Sequence, residues 1–275
     1  MDTLKKLRLD GRVAIITGGA GLMGVQHAHV VGEAGGIPVL WDIDREALEA
    51  QYREISAQYG VDCQGLMVDI TSPEAVSRGF EQVLARFNRV DILINNAAND
   101  PKVSGAAGLA WSRLENFSLD HWAQDLAVGL TGAFLCSQKV GAYLAQRGGG
   151  VILNIASDLG VIAPDQRLYR QPGLAEDAQP AKPVTYSVIK HGLIGLTKYL
   201  ATYWADKNVR VNALSPGGIY TNQPEAFVNQ LSGLIPLGRM ASREEYRAAV
   251  LFLVSDASSY MTGANLIVDG GRTCW

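Results

Sequence analysis

The chain has 275 residues, 48% hydrophobic and 19% charged, which is ample apolar material for one large core. A formal net charge of -3 gives no electrostatic footprint for nucleic acid or an anionic membrane, and three scattered cysteines, Cys63, Cys136 and Cys274, match neither a disulfide framework nor a metal-ligand spacing. The first apolar run, Val13 to Ile16, is too short for a signal peptide or a membrane span, so the expectation is a soluble cytoplasmic protein with no metal.

Val13 to Ile16 reads as a short buried strand. Thr17-Gly18-Gly19-Ala20-Gly21-Leu22-Met23-Gly24 follows at once, and a helical pattern runs on to about Ala34. Gly19, Gly21 and Gly24 form a G-x-G-x-x-G between strand and helix, where glycine admits a pyrophosphate close to the backbone and the helix N-terminus stabilises its charge. The next strand, Ile37 to Trp41, ends at Asp42, eighteen residues past Gly24. A carboxylate there accepts hydrogen bonds from a ribose 2′-hydroxyl and repels a 2′-phosphate. The glycine loop holds no Arg or Lys, and Arg45 is the nearest base after Asp42, so the pattern favours NAD over NADP. The alternative for Asp42 is a helix N-cap.

A helix from about Arg45 to Tyr59 and a strand from Cys63 to Val68 come next. Ser72-Pro73-Glu74 then opens a helix as a cap with proline at its first position. The strand Asp91 to Ile94 ends in Asn95-Asn96-Ala97-Ala98. This alternation argues a single doubly wound α/β domain on a parallel sheet, with ligands at the carboxyl ends of the strands. Asn99 to Phe117 reads either as an excursion over the active-site edge or as a plain solvent loop. One long helix is expected from about Asp120 to Gln146, with Gly129 and Gly132 marking close packing or a kink.

Val151 to Ile155, the fifth strand, delivers Ala156-Ser157-Asp158. Ile162 to Val184 has neither helical nor strand period and reads as a structured loop or lid. A helix bearing Tyr186 and Lys190 runs to about Asp206. The strand Val209 to Leu214 leads into Ser215 to Thr221, and residues 222–240 read as a mobile, partly apolar lid. A helix from Glu244 to Ser255 and a last strand, Asn265 to Val268, precede Asp269-Gly270-Gly271.

Tyr186-Ser187-Val188-Ile189-Lys190 carries the most specific chemistry. Tyr and Lys four apart share one helix face, and an ammonium beside a phenol favours the phenolate, giving a proton donor and acceptor useful near neutral pH. The same spacing is common on helix surfaces, so its meaning depends on context.

The context is a resemblance. The Thr17–Gly24 loop, Asp69, Asn95-Asn96-Ala97, Ser157, Tyr186-x-x-x-Lys190, Pro216-Gly217 with Thr221, and Asp269-Gly270-Gly271 occur in the order seen in the short-chain dehydrogenases/reductases. The chain resembles that family from about Leu9 to Gly271. The resemblance implies one NAD(P)-binding Rossmann domain over residues 1–275, with a seven-stranded parallel sheet and helices on both faces. It implies an oxidoreductase interconverting a secondary alcohol and a ketone, assembled as a homotetramer or homodimer. By the same resemblance Gly18, Gly21, Leu22, Met23 and Gly24 hold the pyrophosphate, Asp42 the adenosine ribose, and Asp69 with Ile70 the adenine. Asn95 supports the central strand, with Ala97 at the cofactor edge. Ser157 polarises the substrate carbonyl, Tyr186 passes the proton, and Lys190 binds the nicotinamide ribose. Pro216 and Gly217 border the cofactor, and Ile219 and Thr221 hold its carboxamide.

Two positions depart from the family. Leu22 stands where a glycine is usual, which makes the loop look like that of the sugar-nucleotide epimerases. Gly129, in Val128-Gly129-Leu130-Thr131-Gly132-Ala133-Phe134, stands where the family carries an Asn that helps hold a proton-relay water. Ser157 and Tyr186 are 29 residues apart, about twice the family's usual spacing. Within that insertion Arg167, Tyr169 and Arg170 are candidates for recognising a hydroxylated or anionic substrate, together with Asp158 and Tyr220. The alternative is that the arginines form surface or subunit-interface ion pairs. The leading expectation is NAD-linked chemistry on a carbohydrate-derived substrate, in a pattern similar to reductases of bacterial surface-glycan and flagellin-sugar pathways. The alternatives are a 3-oxoacyl-thioester reductase and, resting on Gly129, a cofactor-binding scaffold or sensor without turnover.

Overall fold

A computed structural model describes residues 2–99 and 109–275. Seven strands form one parallel sheet: β1 (Val13–Thr17), β2 (Ile37–Asp42), β3 (Gln64–Met67), β4 (Ile92–Asn95), β5 (Gly150–Ile155), β6 (Val209–Pro216) and β7 (Asn265–Val268). Their spatial order is β3-β2-β1-β4-β5-β6-β7. The chain turns back between β1 and β4, which pair as Ile15 with Leu93, and this switch of direction opens a crevice at the strands' carboxyl ends.

Burial on both faces explains why the central strands are almost purely apolar. Alternate residues of β1 enter two separate cores. Ala14 and Ile16 pack with α1 (Leu22–Glu33), α2 (Arg45–Tyr59) and α8 (Arg247–Val254). Val13 and Ile15 pack with α3 (Pro73–Phe87), α5 (Gly132–Arg147) and α6 (Val184–Tyr203). The doubly wound α/β expectation is met in strand number, direction and layering.

The predicted helix from Asp120 to Gln146 is helical throughout, but its hydrogen bonding widens in one turn. It divides into α4 (Leu119–Leu126), a π-helical turn over Ala127–Thr131, and α5. Close approach explains the widened turn. A β-carbon on Gly132 would stand 2.6 Å from Ile70 Cδ1, and one on Gly129 would stand 2.8 Å from Ile189 Cγ2. The widened turn lets the backbone press against both neighbours.

Residues 222–240 contain a helix, α7 (Glu225–Ser232), which the sequence pattern does not announce. Leu231, Ile235 and Met240 form a small core with Leu168 and Phe227. Tyr169 packs on Phe227 at 6.0 Å between ring centroids. The 162–184 segment and α7 thus cover one another above the sheet edge. Part of the expected Asn99–Phe117 excursion, residues 100–108, lies outside the described residues. Among the described residues no helix is long and apolar enough to cross a membrane.

Candidate active site

A cavity of about 620 Å³ runs along the carboxyl ends of the strands, from the β1–α1 turn to α7. Its first end is built by the glycine loop. Gly18 has a φ of +60, and a β-carbon there would stand 2.8 Å from Ala97 Cα, so glycine is required on both counts. A β-carbon on Gly24 would collide with the Gly18 carbonyl oxygen. Gly21 caps α1, leaving the first-turn amides of Leu22 and Met23 free of helical partners at the cavity wall. This is a cradle for a pyrophosphate.

Asn96 braces the loop, its side-chain amide donating to the carbonyls of Thr17 and Gly18 at 3.0 and 3.1 Å. Thr17 Oγ1 in turn accepts from the amides of Asn96 and Ala97. The Asp42 carboxylate accepts from the amides of Ala20 and Ile43 at 3.0 and 2.8 Å. It is not the helix cap, because Asp44 caps α2 by accepting from the Ala47 amide. Asp42, Asp69 and Ile70 line this end of the cavity, and among the described residues no Lys or Arg lines it beside them. Asn95 is buried behind the wall. It donates to Ser137 Oγ and Asn154 Oδ1, and Asn154 donates to Thr197 Oγ1, a polar chain tying β4, β5, α5 and α6 together.

In the middle of the cavity α6 and the end of β5 bring Ser157, Tyr186 and Lys190 together. Tyr186 Oη donates to Ser157 Oγ at 3.4 Å. Lys190 is buried, donates to the Ile155 carbonyl at 2.8 Å, and stands 5.7 Å from the Tyr186 ring centroid. Lys182 covers the same ring at 3.9 Å. Ser157 donates to Asp158 Oδ1 at 2.8 Å, which extends the hydroxyl chain to a buried carboxylate. Burial pushes the Asp158 carboxyl above its usual range, an effect only partly offset by the Ser157 hydroxyl and the Leu159 amide.

Pro216 closes β6 and Gly217, Ile219 and Thr221 follow it along the wall, and the Tyr246 hydroxyl donates to the Gly217 carbonyl to fix that turn. The Thr221 amide donates to Gln223 Oε1. Tyr169 reaches the cavity, whereas Tyr220 does not line it. Neither Arg167 nor Arg170 lines it. Arg167 is paired with Asp165 and Arg170 with Glu176, in partly or largely exposed ion pairs.

Among the lining residues to which the sequence reading gives no role are Asn96, a loop brace, Lys182 and Arg272. Asn96 sits inside a recognisable motif. Arg272 directly follows the closing Asp269-Gly270-Gly271, which is its only signal in the sequence.

Comparison with known proteins agrees with this geometry. The sequence model of the family described as short chain dehydrogenase matches residues 12–169, and one described as Enoyl-(Acyl carrier protein) reductase matches residues 174–273. The chain is 35% identical to a D-threitol dehydrogenase of Mycolicibacterium smegmatis, over 97% of this chain and 94% of that one. It is 34% identical to an NAD-dependent glycerol dehydrogenase of Listeria innocua, over 98% and 96%. A gluconate 5-dehydrogenase from Burkholderia cenocepacia, solved with NADP and tartrate, superposes with a TM-score of 0.86 at 28% identity, covering 100% of each chain.

Proposed function

The chain belongs to the short-chain dehydrogenase/reductase family and is an oxidoreductase, and on that premise we propose that it oxidises a secondary alcohol of a polyhydroxylated substrate with NAD. One arrangement supports the reading: the Tyr186–Ser157–Asp158 chain of hydroxyl and carboxylate groups, backed by Lys190 and placed beside a nucleotide cradle.

The cradle fits a dinucleotide. Gly18 and Gly24 leave room that any β-carbon would fill, and the first-turn amides of α1 face the cavity. Asp42 and Asp69 at the adenosine end, with no lining cation beside them among the described residues, favour a free 2′-hydroxyl over a 2′-phosphate. The nicotinamide supplies the hydride acceptor.

The protein's own groups handle the proton. Tyr186 Oη takes the proton of the reacting hydroxyl, and the Lys190 ammonium, fixed by the Ile155 carbonyl, stabilises the phenolate that receives it. Ser157 donates to the substrate oxygen and holds the carbinol in place. To do so its hydrogen must leave Asp158. A neighbouring substrate hydroxyl that donates to Asp158 replaces the lost bond, so a buried carboxylate is not stranded. This exchange favours a vicinal diol over a simple alcohol. The relatives named for threitol and glycerol act on such compounds. NAD-linked oxidation of an alditol series, compared with simple secondary alcohols, tests the reading.

A further inference from the structure

Arg272 is 9% exposed and lines the cavity that Ser157, Asp158 and Tyr186 also line. Among the described residues its guanidinium makes no hydrogen bond and no ion pair. The guanidiniums of Arg89, Arg147 and Arg239, by contrast, are all paired with carboxylates. Arg272 thus lines the cavity with no protein partner among the described residues for its guanidinium, whose five donors in a planar fork match a carboxylate.

The neighbouring acids are occupied elsewhere. Asp269 accepts from the amides of Gly271 and Thr273 at 2.9 and 2.7 Å, which locks the turn that presents Arg272. Trp275 pins the following residues by donating to the Leu234 carbonyl. Asp165 is paired with Arg167. Asp158 accepts from Ser157 and from the Leu159 amide. Arg272 is near enough to lower the Asp158 and Asp165 carboxyls electrostatically, yet it forms no ion pair with either.

We infer that Arg272 binds a substrate carboxylate, so that the compound oxidised in this cavity is a polyhydroxy acid, its acid group on Arg272 and its reacting carbinol at Ser157 and Tyr186. This deepens the alcohol-oxidation reading above and rests on it. A carboxylate fits better than the alternatives. A neutral hydroxyl engages only part of the guanidinium fork and brings no charge to it, and a phosphate dianion adds a second negative charge beside Asp158, Asp165 and Asp269.

The test pairs each aldonate with its alditol: threonate with threitol, xylonate with xylitol, gluconate with glucitol. The kcat/KM ratio of acid to alditol is measured with NAD for the unaltered enzyme, Arg272→Gln and Arg272→Lys. The expected result is a ratio above one for at least one pair, lowered about 100-fold in Arg272→Gln and less in Arg272→Lys, which keeps the charge but loses the fork. Because both members of a pair meet the same protein, a folding defect cancels from the ratio. A second arm measures thermal stabilisation of the NAD complex by each aldonate, expected in the unaltered enzyme and absent in Arg272→Gln. Alditols preferred in every pair, or a ratio unmoved by Arg272→Gln, overturns the inference while leaving alcohol oxidation intact. If no alcohol is oxidised, the alcohol-oxidation reading fails, and the thermal arm alone decides whether Arg272 binds carboxylates.

Discussion

Ile189 Cγ2 lies 2.8 Å from the point where a β-carbon on Gly129 would stand. The side chain immediately before Lys190 therefore fills the space that an Asn at position 129 would need. Gly129 and Ile189 are complementary in volume. Gly129→Asn is expected to destabilise the protein by about 1–3 kcal/mol through overpacking. Adding Ile189→Ala is expected to recover much of that loss, giving a coupling energy in a double-mutant cycle of denaturant unfolding. Additive effects would show that the two residues do not share the space.

The charge on Asp42 is expected to set nucleotide preference. Asp42→Asn keeps an acceptor for the Ala20 amide and removes the repulsion of a 2′-phosphate. The kcat/KM ratio of NADP to NAD is expected to rise at least about tenfold. An unchanged ratio would mean that preference is set elsewhere in the cradle.

His27 ties stability to pH. It is fully buried on α1, and burial pushes its imidazole down to about 4, with Asn96 offsetting part of the effect. The unfolded imidazole titrates near ~6.5. Between those values the unfolded chain binds a proton that the folded chain refuses. This contribution is therefore present above about pH 6.5 and is lost as pH falls toward 4, by an amount of order 3 kcal/mol. Urea unfolding of His27→Leu and the unaltered protein between about pH 7 and about pH 4.5 should show a shallower acid loss in the variant. Parallel curves would contradict the buried neutral imidazole.

The sheet was legible in the sequence because strands buried on both faces read as unbroken apolar runs, and all seven expected strands overlap observed ones. The glycine loop and the Tyr186 helix were legible because their spacing carries chemistry. The π-turn at Ala127–Thr131 was not, since a single widened turn leaves the apolar period on either side intact and only Gly129 and Gly132 hint at it. Arg167 and Arg170 looked like substrate ligands because they sit in an insertion, but each has an acid close by in sequence, Asp165 and Glu176, and pairs with it. Arg272 was overlooked for the opposite reason. A lone arginine near the chain end has no periodic or motif signal, and only the fold brings it to Ser157 and Asp158. The Trp275 side chain is 73% exposed in the single chain.

The central claim is that Tyr186 moves the proton in NAD-linked alcohol oxidation. The most direct measurement is the rate of NADH formation from threitol and xylitol by the unaltered enzyme and by Tyr186→Phe, with NADH binding followed in parallel by nicotinamide fluorescence. The account predicts turnover by the unaltered enzyme, lowered about 1,000-fold or more in Tyr186→Phe, which still binds NADH. Comparable rates in the two proteins, or tight NADH binding by an unaltered enzyme that oxidises no alcohol, would contradict it.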